Sequence, residues 1–175
     1  MGEIEQLWAP WRLDFVTGLG TKKKPAEVQV GKGADPHCFI CQAVWDNQDK
    51  ERYVFSRSNL SIGILNRYPY NNGHLLIAPR RHCSDLCDLT KKEQMDLIQQ
   101  IDFWVERLKE RLKPDGFNVG LNLGLAAGAG LPGHLHWHIV PRWVGDTNFM
   151  CAVGGTKVIP QSLEALLSCI TCITR

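Results

Sequence analysis

The stretch HLHWHIV at residues 134–140 sets three histidines at alternate positions among apolar residues. Alternate side chains of a β-strand share one face and lie roughly 6.6 Å apart along it. A strand here therefore places His134, His136 and His138 on one face. The apolar side chains between them face the other way, toward a core: Leu135, Trp137 and Ile139. Imidazoles repel one another when charged and are rarely clustered for packing, so this face indicates a functional site rather than three half-exposed surface histidines.

The segment before this strand, AAGAGLPG at residues 126–133, consists almost entirely of small residues. Without bulky side chains, the backbone N–H groups of such a loop can approach a ligand closely. Successive backbone N–H groups form a concave site that suits an anion such as a polyphosphate. Beside three histidines, the loop therefore predicts a phosphate-binding turn.

Further from the histidines, apolar runs bounded by turn residues predict strands at 53–56, 60–65, 74–78, 117–123 and 135–140. The longest helix is expected after Thr90, which forms a capping box with Glu93, and it should end near Lys113. A short helix is expected at 38–45 and a last one from about Ser162. Strands and helices do not alternate regularly. The pattern predicts an α+β fold, with an antiparallel sheet of about five strands and one long central helix.

Composition narrows the class of protein. The chain has 175 residues, enough for one domain with additional segments. It contains 20 Lys and Arg residues and 18 Asp and Glu residues. The resulting net charge of +2 excludes a protein that binds nucleic acid through a large excess of positive charge. No apolar run reaches the roughly 18 residues of a membrane span. The N-terminal MGEIEQLWAPWR lacks an apolar signal-peptide core, so we expect a cytoplasmic location and reduced thiols despite seven cysteines.

Three regions are predicted along the chain. Residues 1–36 form an N-terminal arm, which is rich in aromatic residues, and a loop rich in Lys, Gly and Pro. Residues 37–143 form the main domain, and residues 144–175 form a C-terminal helical tail packed on it. Aromatic residues as dense as those of the arm are expected to be buried against the domain or a partner subunit.

Cys38 and Cys41 form a CxxC pair, which in a cytoplasmic chain suits half of a tetrahedral zinc site. A redox pair is the alternative, although no thioredoxin-like βαβ pattern surrounds it. A second CxxC, Cys169 and Cys172, lies on the last predicted helix without nearby histidines and is interpreted as ordinary thiols. A further alternative is a catalytic metal held by the three alternating histidines, which predicts chemistry sensitive to chelators.

The run at residues 134–140 resembles the histidine-triad (HIT) signature, in which three histidines alternate with apolar residues and an apolar pair follows. Asn66, followed eight residues later by His74 and an apolar strand, is also similar to that superfamily. Four further segments resemble one bacterial branch, the group similar to diadenosine tetraphosphate phosphorylases: LWAPWR (7–12), PRW (141–143), GDTNFM (145–150) and GGTKVIP (154–160). The resemblance implies a HIT-like fold and a homodimer.

For the histidines, the resemblance implies cleavage at the α-phosphorus of a nucleotide. His136 would be the nucleophile and form a nucleotidyl-histidine intermediate, with its second ring nitrogen protonated and held by a backbone carbonyl. His138 would hydrogen-bond the phosphate or assist the leaving group. His74 would lie close by on the neighbouring strand, and its alternative is a core histidine with satisfied hydrogen bonds.

The resemblance also implies a set of substrate contacts. Asn66 would hold the ribose hydroxyls, and a simple turn residue is the alternative. Asn122 would contact ribose or phosphate, and the backbone of Gly128 and Gly130 would contact the phosphates. Many family members carry Ser, Thr or Gln at the positions of Gly130 and Leu131, so phosphate binding is expected to depend more on the backbone here.

In relatives with the cysteine pair, two histidines complete a structural zinc site, and the matching residues here are His82 and His134. The resemblance therefore implies Zn²⁺ held by Cys38, Cys41, His82 and His134. Such a site would pin the segment of the cysteines against the histidine strand and orient the loop before it.

The expected protein is a cytoplasmic HIT enzyme, a nucleotidyltransferase or hydrolase that cleaves dinucleoside polyphosphates, with a phosphorylase favoured over a hydrolase. Its partner would be an adenine dinucleoside polyphosphate or another AMP derivative. One alternative is a nucleoside phosphoramidate or adenylyl-sulfate hydrolase of the same superfamily. Another is a zinc-stabilised nucleotide-binding module with little turnover.

Overall fold

The computed structural model describes residues 28–147 and 157–172. The predicted aromatic arm, with Trp8, Trp11 and Phe15, lies outside these residues, as does Cys151. Within them, no helix is both long and apolar enough to cross a membrane.

The helices are α1 (Phe39–Trp45), α2 (Asp49–Arg52), α3 (Lys91–Leu112) and α4 (Leu163–Thr171), with short 3-10 turns at Leu86–Asp88 and Leu125–Ala127. The strands are β1 (Val54–Arg57), β2 (Ser61–Leu65), β3 (Leu75–Pro79), β4 (Gly116–Leu121) and β5 (Trp137–Arg142). They form a five-stranded sheet in the order β1-β2-β3-β5-β4, and each neighbouring pair is antiparallel. The α+β fold predicted from the sequence is therefore confirmed.

The two faces of the sheet have different coverings. Helices α3 and α4 cover one face, where Leu135 and Ile139 are buried in the larger apolar core. Helix α1 packs on a smaller cluster that includes Cys41, Ile62 and Ala78. Leu135, Trp137 and Ile139 thus lie in or against the core as predicted. The regular strand begins only at Trp137, so His134 and His136 precede it and the predicted strand of three histidines is not formed in full.

Strand β5 begins at Trp137, two residues later than predicted. The reason lies opposite it, where Pro79 ends β3 and has no N–H to donate to a ladder. The Leu135 N–H donates instead to the Cys83 carbonyl at 2.7 Å. The chain therefore leaves the regular strand before Trp137, and His134 turns toward Cys38, with 3.2 Å between His134 Nδ1 and Cys38 Sγ.

Helix α3 begins with the predicted capping box. The Thr90 hydroxyl accepts from the Glu93 N–H at 3.2 Å, and the Glu93 carboxylate accepts from the Thr90 N–H at 2.8 Å. Arg81 also donates two hydrogen bonds of 3.1 Å to that carboxylate. These bonds lower the pKa of Glu93 to about 2, because they stabilise its charged form. The start of α3 is therefore tied to the segment that follows β3.

The C-terminal helix α4 begins where it was predicted, after Ser162, whose hydroxyl accepts from the Ala165 N–H at 3.2 Å. Leu166 and Ile170 are buried against the main core. Arg107 of α3 donates to the Ile170 carbonyl at 3.3 Å. The tail helix thus packs on α3, on the face of the sheet opposite the histidines.

Candidate functional site

His136 is held in one tautomer by its own backbone neighbourhood. Its Nδ1 lies 2.8 Å from the carbonyl oxygen of His134, and the side chain is buried. Because a carbonyl only accepts, Nδ1 carries the proton and donates this bond. The other ring nitrogen, Nε2, is then left with its lone pair, which is the form that a nucleophilic imidazole requires.

His74 and His138 form a hydrogen-bonded pair beside His136. The Tyr70 N–H donates to His74 Nδ1 at 3.0 Å, so His74 must carry its proton on Nε2. That Nε2 lies 2.9 Å from His138 Nδ1 and donates to it. His138 therefore carries its own proton on Nε2, a buried atom without a hydrogen-bond partner among the described residues. The chain of bonds therefore ends in a donor that no described group accepts.

Burial keeps this pair neutral. Desolvation, followed by the charges of His138 and His136, lowers the pKa of His74 to about 3. Desolvation and the charge of His136 lower the pKa of His138 to about 4. The Tyr70 ring covers both imidazoles, with centroid distances of 4.6 Å to His74 and 5.7 Å to His138. At neutral pH the pair is therefore a set of oriented dipoles rather than charges.

Asn66 lies where β2 ends, next to His74. Its side-chain oxygen accepts from the Tyr68 N–H at 2.9 Å, which is a turn contact. Its Nδ2 lies 3.2 Å from His74 Nδ1. The turn role considered from the sequence and the position beside the histidines are thus both present in one side chain.

The small-residue loop lies at the end of β4. Asn122 Nδ2 donates to the Gly128 carbonyl at 3.4 Å, so the two predicted substrate residues contact each other. The Gly128 N–H is already used by the Leu125 carbonyl at 2.9 Å, and its φ of +84° suits glycine. The Gly130 N–H has no partner between residues 28 and 147. Among the loop N–H groups, Gly130 therefore offers a free donor and Gly128 does not.

The predicted metal ligands come together next to the start of β5, where His134 precedes the strand. The ligand atoms of Cys38, Cys41, His82 and His134 all lie within 4.8 Å of one another. The Cys41 Sγ lies 3.2 Å from His82 Nδ1 and 3.5 Å from His134 Nδ1. A tetrahedral zinc with bonds of 2.0–2.3 Å needs ligand separations of about 3.3–3.8 Å. Two soft thiolates and two imidazoles at these separations suit Zn²⁺.

The surroundings of the cluster also fit a metal. His134 Nε2 donates to the Pro79 carbonyl at 2.8 Å, which leaves Nδ1 unprotonated and aimed at the cysteines. Burial raises the pKa of the Cys38 thiol to about 12, so a metal cation is what would hold a thiolate there. Burial also lowers the pKa of His134 to about 4, which keeps it in the neutral form that ligates.

This arrangement bears on the rival interpretations of the histidines and cysteines. His134 faces the cysteine pair, whereas His136 faces His138 at a ring-centroid distance of 5.0 Å, so the three histidines do not share one metal centre. Among the described residues, the Cys2His2 group is the one cluster found that suits a metal ion. Cys169 and Cys172 are free thiols outside it.

Two features of the site were not predicted from the sequence. Tyr70 both donates its N–H to His74 and covers His138, yet in the sequence it was part of a turn-rich stretch. The Pro79 carbonyl orients His134, and a backbone carbonyl leaves no signal in a side-chain pattern. Aromatic residues next to a predicted catalytic histidine are the signal that would have identified Tyr70.

Fold and site together define a class of protein: an α+β domain with an oriented imidazole and a neutral histidine pair beside the neighbouring strands β3 and β5, and with a Cys2His2 cluster that includes His134 just before β5. Residues 47–144 match the family model described as HIT domain. The chain belongs to the HIT family.

Two curated relatives illustrate the range of that family. The chain is 42% identical over 162 residues to the AP-4-A phosphorylase of Mycobacterium tuberculosis. This match covers 93% of this chain and 80% of the relative. It is 37% identical over 98 residues to the bis(5'-adenosyl)-triphosphatase of Saccharomyces cerevisiae. This second match covers 53% of this chain and 47% of the relative.

Solved structures agree with the fold. A hypothetical histidine triad nucleotide-binding protein from Sulfolobus tokodaii matches with a TM-score of 0.63 and 26% identity, covering 77% of this chain and 89% of that one. A Zn-bound histidine triad family protein from Mycobacterium smegmatis matches with a TM-score of 0.58 and 26% identity, covering 69% and 81%.

Proposed function

We propose that this protein cleaves dinucleoside polyphosphates at the α-phosphorus through a nucleotidyl-histidine intermediate on His136. The observation that carries the proposal is the 2.8 Å bond from His136 Nδ1 to the His134 carbonyl, which leaves Nε2 as an oriented nucleophile. The similarity to a protein named AP-4-A phosphorylase, over 93% of the chain, supports this substrate class.

In the proposed step, the Nε2 lone pair of His136 attacks the α-phosphorus and a P–N bond forms. The bond from phosphorus to the bridging oxygen breaks, and the other nucleotide leaves as an anion. His138 Nε2–H donates a hydrogen bond to the oxygen on which charge develops, and His74 holds His138 in the tautomer that allows this. Asn66 is proposed to contact the ribose, Asn122 the ribose or phosphate, and the Gly130 N–H the phosphates. The Gly128 N–H, expected from the resemblance to contact the phosphates, is bonded to the Leu125 carbonyl instead.

The second step transfers the nucleotidyl group from His136 to an acceptor. Inorganic phosphate as acceptor makes the enzyme a phosphorylase, and water makes it a hydrolase. We favour phosphorolysis because the relative that matches most of the chain is named a phosphorylase, whereas the relative named a triphosphatase matches 53% of it. A phosphoramidate or adenylyl-sulfate hydrolase would use the same histidines and differ in its leaving group.

Product analysis of diadenosine tetraphosphate, with and without inorganic phosphate, tests this proposal. ADP plus ATP formed only with phosphate supports phosphorolysis, and products that form equally without phosphate support hydrolysis. His136→Ala should abolish turnover, whereas His37→Ala, at an exposed histidine, should leave it unchanged. Nucleotide binding without any turnover would instead favour the binding-module alternative.

For the Cys2His2 cluster we propose a structural Zn²⁺. All four donors are protein side chains, three of them fully or almost fully buried, so no position remains open for a substrate. The ion would hold α1 against the segment that leads into β5, and the similarity to a Zn-bound family member supports its identity. The ion takes no part in the proposed chemical steps.

A homodimer and a cytoplasmic location remain predictions. Strand β4 is the last strand of the sheet and its residues 118–120 are exposed, which gives a second copy an edge to pair with. The six cysteines of the described residues are free thiols, which suits a reducing compartment. Sedimentation or light scattering of the purified protein tests the dimer.

A further inference from the structure

The histidine face of the sheet continues beyond His138 into a cavity of about 230 Å³. Six residues line it: Tyr70, Asn71, Asn118, Val140, Arg142 and Lys157. Val140 is the next residue of β5 on the face of His138, because alternate residues of a strand share a face. Tyr70 belongs to both places, since its ring also lies 5.7 Å from the His138 ring. The cavity therefore adjoins the proposed reaction site.

The strand beside His138 leads toward this cavity. Gly120 of β4 lies opposite His138, and Asn118 lies opposite Val140. A Cβ at Gly120 would meet no heavy atom within 4 Å, so the surface beside His138 is open. A group that leaves the α-phosphorus past His138 Nε2–H can follow this surface toward Asn118.

Of the two cations that line the cavity, Arg142 is already neutralised. Its Nε and Nη2 donate to the Asp146 carboxylate at 2.6 Å and 2.9 Å, and its Nη1 donates to Asn118 Oδ1 at 2.6 Å. Asn71 Nδ2 also donates to Asp146 at 2.8 Å. This network fixes one wall of the cavity and orients the Asn118 amide, whose Nδ2 has no partner among the described residues.

Lys157 supplies the remaining charge. It makes no hydrogen bond or ion pair with residues 28–147 or 157–172, and the lining of the cavity contains no carboxylate. Its charge nevertheless reaches Asp146, whose pKa is lowered chiefly by Arg142 and further by Lys157. The cavity thus combines a cation without a hydrogen-bonded partner among the described residues with a free amide donor, which is the chemistry that recognises phosphate oxygens.

We propose that this cavity binds the phosphates of the nucleotide that leaves, with Lys157 and Asn118 as its contacts. The inference rests on the proposed function. It concerns the phosphates of the leaving nucleotide, for which the histidines, Asn66 and the glycine loop provide no site. An uncharged leaving group would gain no electrostatic attraction from Lys157. Lys157 and Asn118 are therefore specificity-determining residues for a polyphosphate leaving group.

Two measurements test the inference together: the kinetics of diadenosine tetraphosphate cleavage and the binding of AMP. AMP represents the half of the substrate that is transferred to His136. Lys157→Gln should lower kcat/KM on the dinucleotide about tenfold, the equivalent of about 1.4 kcal/mol for one charge-assisted hydrogen bond. Its dissociation constant for AMP should not change. Lys157→Arg should retain most of the activity, and Lys50→Gln, at an exposed lysine on α2, should behave as wild type.

An unchanged kcat/KM in both Lys157→Gln and Asn118→Ala would overturn the inference and leave the proposed function intact. An equal weakening of AMP binding would also overturn it, because Lys157 would then act on the transferred half. A wild-type protein that leaves diadenosine tetraphosphate intact would overturn the proposed function, and the inference with it.

Discussion

His74 Nε2 lies 2.9 Å from His138 Nδ1, and both rings are neutral because burial lowers their pKa values to about 3 and about 4. The Tyr70 N–H fixes the direction of this bond, since it occupies His74 Nδ1 at 3.0 Å. A backbone N–H thus determines, through two imidazoles, which nitrogen of His138 faces the substrate. The donor is set before any substrate binds, which is a form of electrostatic preorganisation.

Replacing His74 tests this relay. His74→Leu leaves His138 free to take either tautomer, and kcat should fall about tenfold or more, the equivalent of about 1.4 kcal/mol in the barrier. KM should change little, because His74 is proposed to act through His138. His37→Leu, at an exposed histidine, is the matched control. Steady-state kinetics measure the effect, with His74→Asn as a second variant if the leucine does not fold, and an unchanged kcat would contradict the relay.

The pH dependence of stability follows from the same two histidines. Their pKa values in the folded state are about 3 and about 4, below the ordinary value of 6.5, so the unfolded chain binds protons that the folded protein does not. The free energy of unfolding should therefore fall as the pH is lowered from about 6.5 toward 4, by up to about 1.4 kcal/mol per pH unit for each group.

Urea unfolding of wild type and His74→Leu at about pH 7 and about pH 5 isolates the contribution of His74. The difference in stability between the two pH values should be smaller in the variant. If wild type and variant lost the same stability between the two pH values, His74 would not have the lowered pKa that its burial predicts.

Removal of the zinc ligands tests the Cys2His2 site. Purified wild type should contain about one zinc per chain, and Cys41→Ser should lose it. We expect the variant to be at least about 2 kcal/mol less stable, which corresponds to a Tm lower by roughly 4–8 °C. Cys87→Ser, at an exposed free thiol, is the control and should keep both metal and Tm. Wild type without metal and with an unchanged Tm after chelation would exclude the site.

The start of α3 offers a test of the fold that does not involve the site. Thr90→Ala removes the hydroxyl that accepts from the Glu93 N–H and should cost about 1 kcal/mol of stability. Thr171→Ala, at an exposed hydroxyl in the last turn of α4, should cost less. Equal losses in urea unfolding would mean that the capping box contributes nothing particular.

The features of the fold that could be predicted from the sequence are those that depend on residues close together in the chain. The apolar residues of the run at 134–140, the capping box at Thr90 and the helix after Ser162 depend on neighbours within a few residues, and the structure contains all three as predicted. The prediction that failed was the start of β5, because Pro79 lies far away in the sequence and removes the ladder partner there.

The site shows the same division. The cluster of His82 and His134 with the cysteine pair required a resemblance to a known family, since no spacing within one segment joins these residues. Tyr70 and Lys157 stood in stretches without a pattern, and the tertiary fold alone brings them to the histidine face. Contacts made by backbone groups, such as the Tyr70 N–H, leave no trace in side-chain composition.

The central claim is the covalent intermediate on His136, and the stereochemical course at the α-phosphorus tests it most directly. The substrate is a single diastereomer of diadenosine tetraphosphate with sulfur on the α-phosphorus, and the configuration of the α-thio nucleotide product is then determined, with isotopically labelled water if hydrolysis prevails. Attack by His136 followed by transfer to the acceptor inverts the phosphorus twice, so the account predicts net retention. Net inversion would mean that the acceptor attacks the substrate directly, and it would contradict the account.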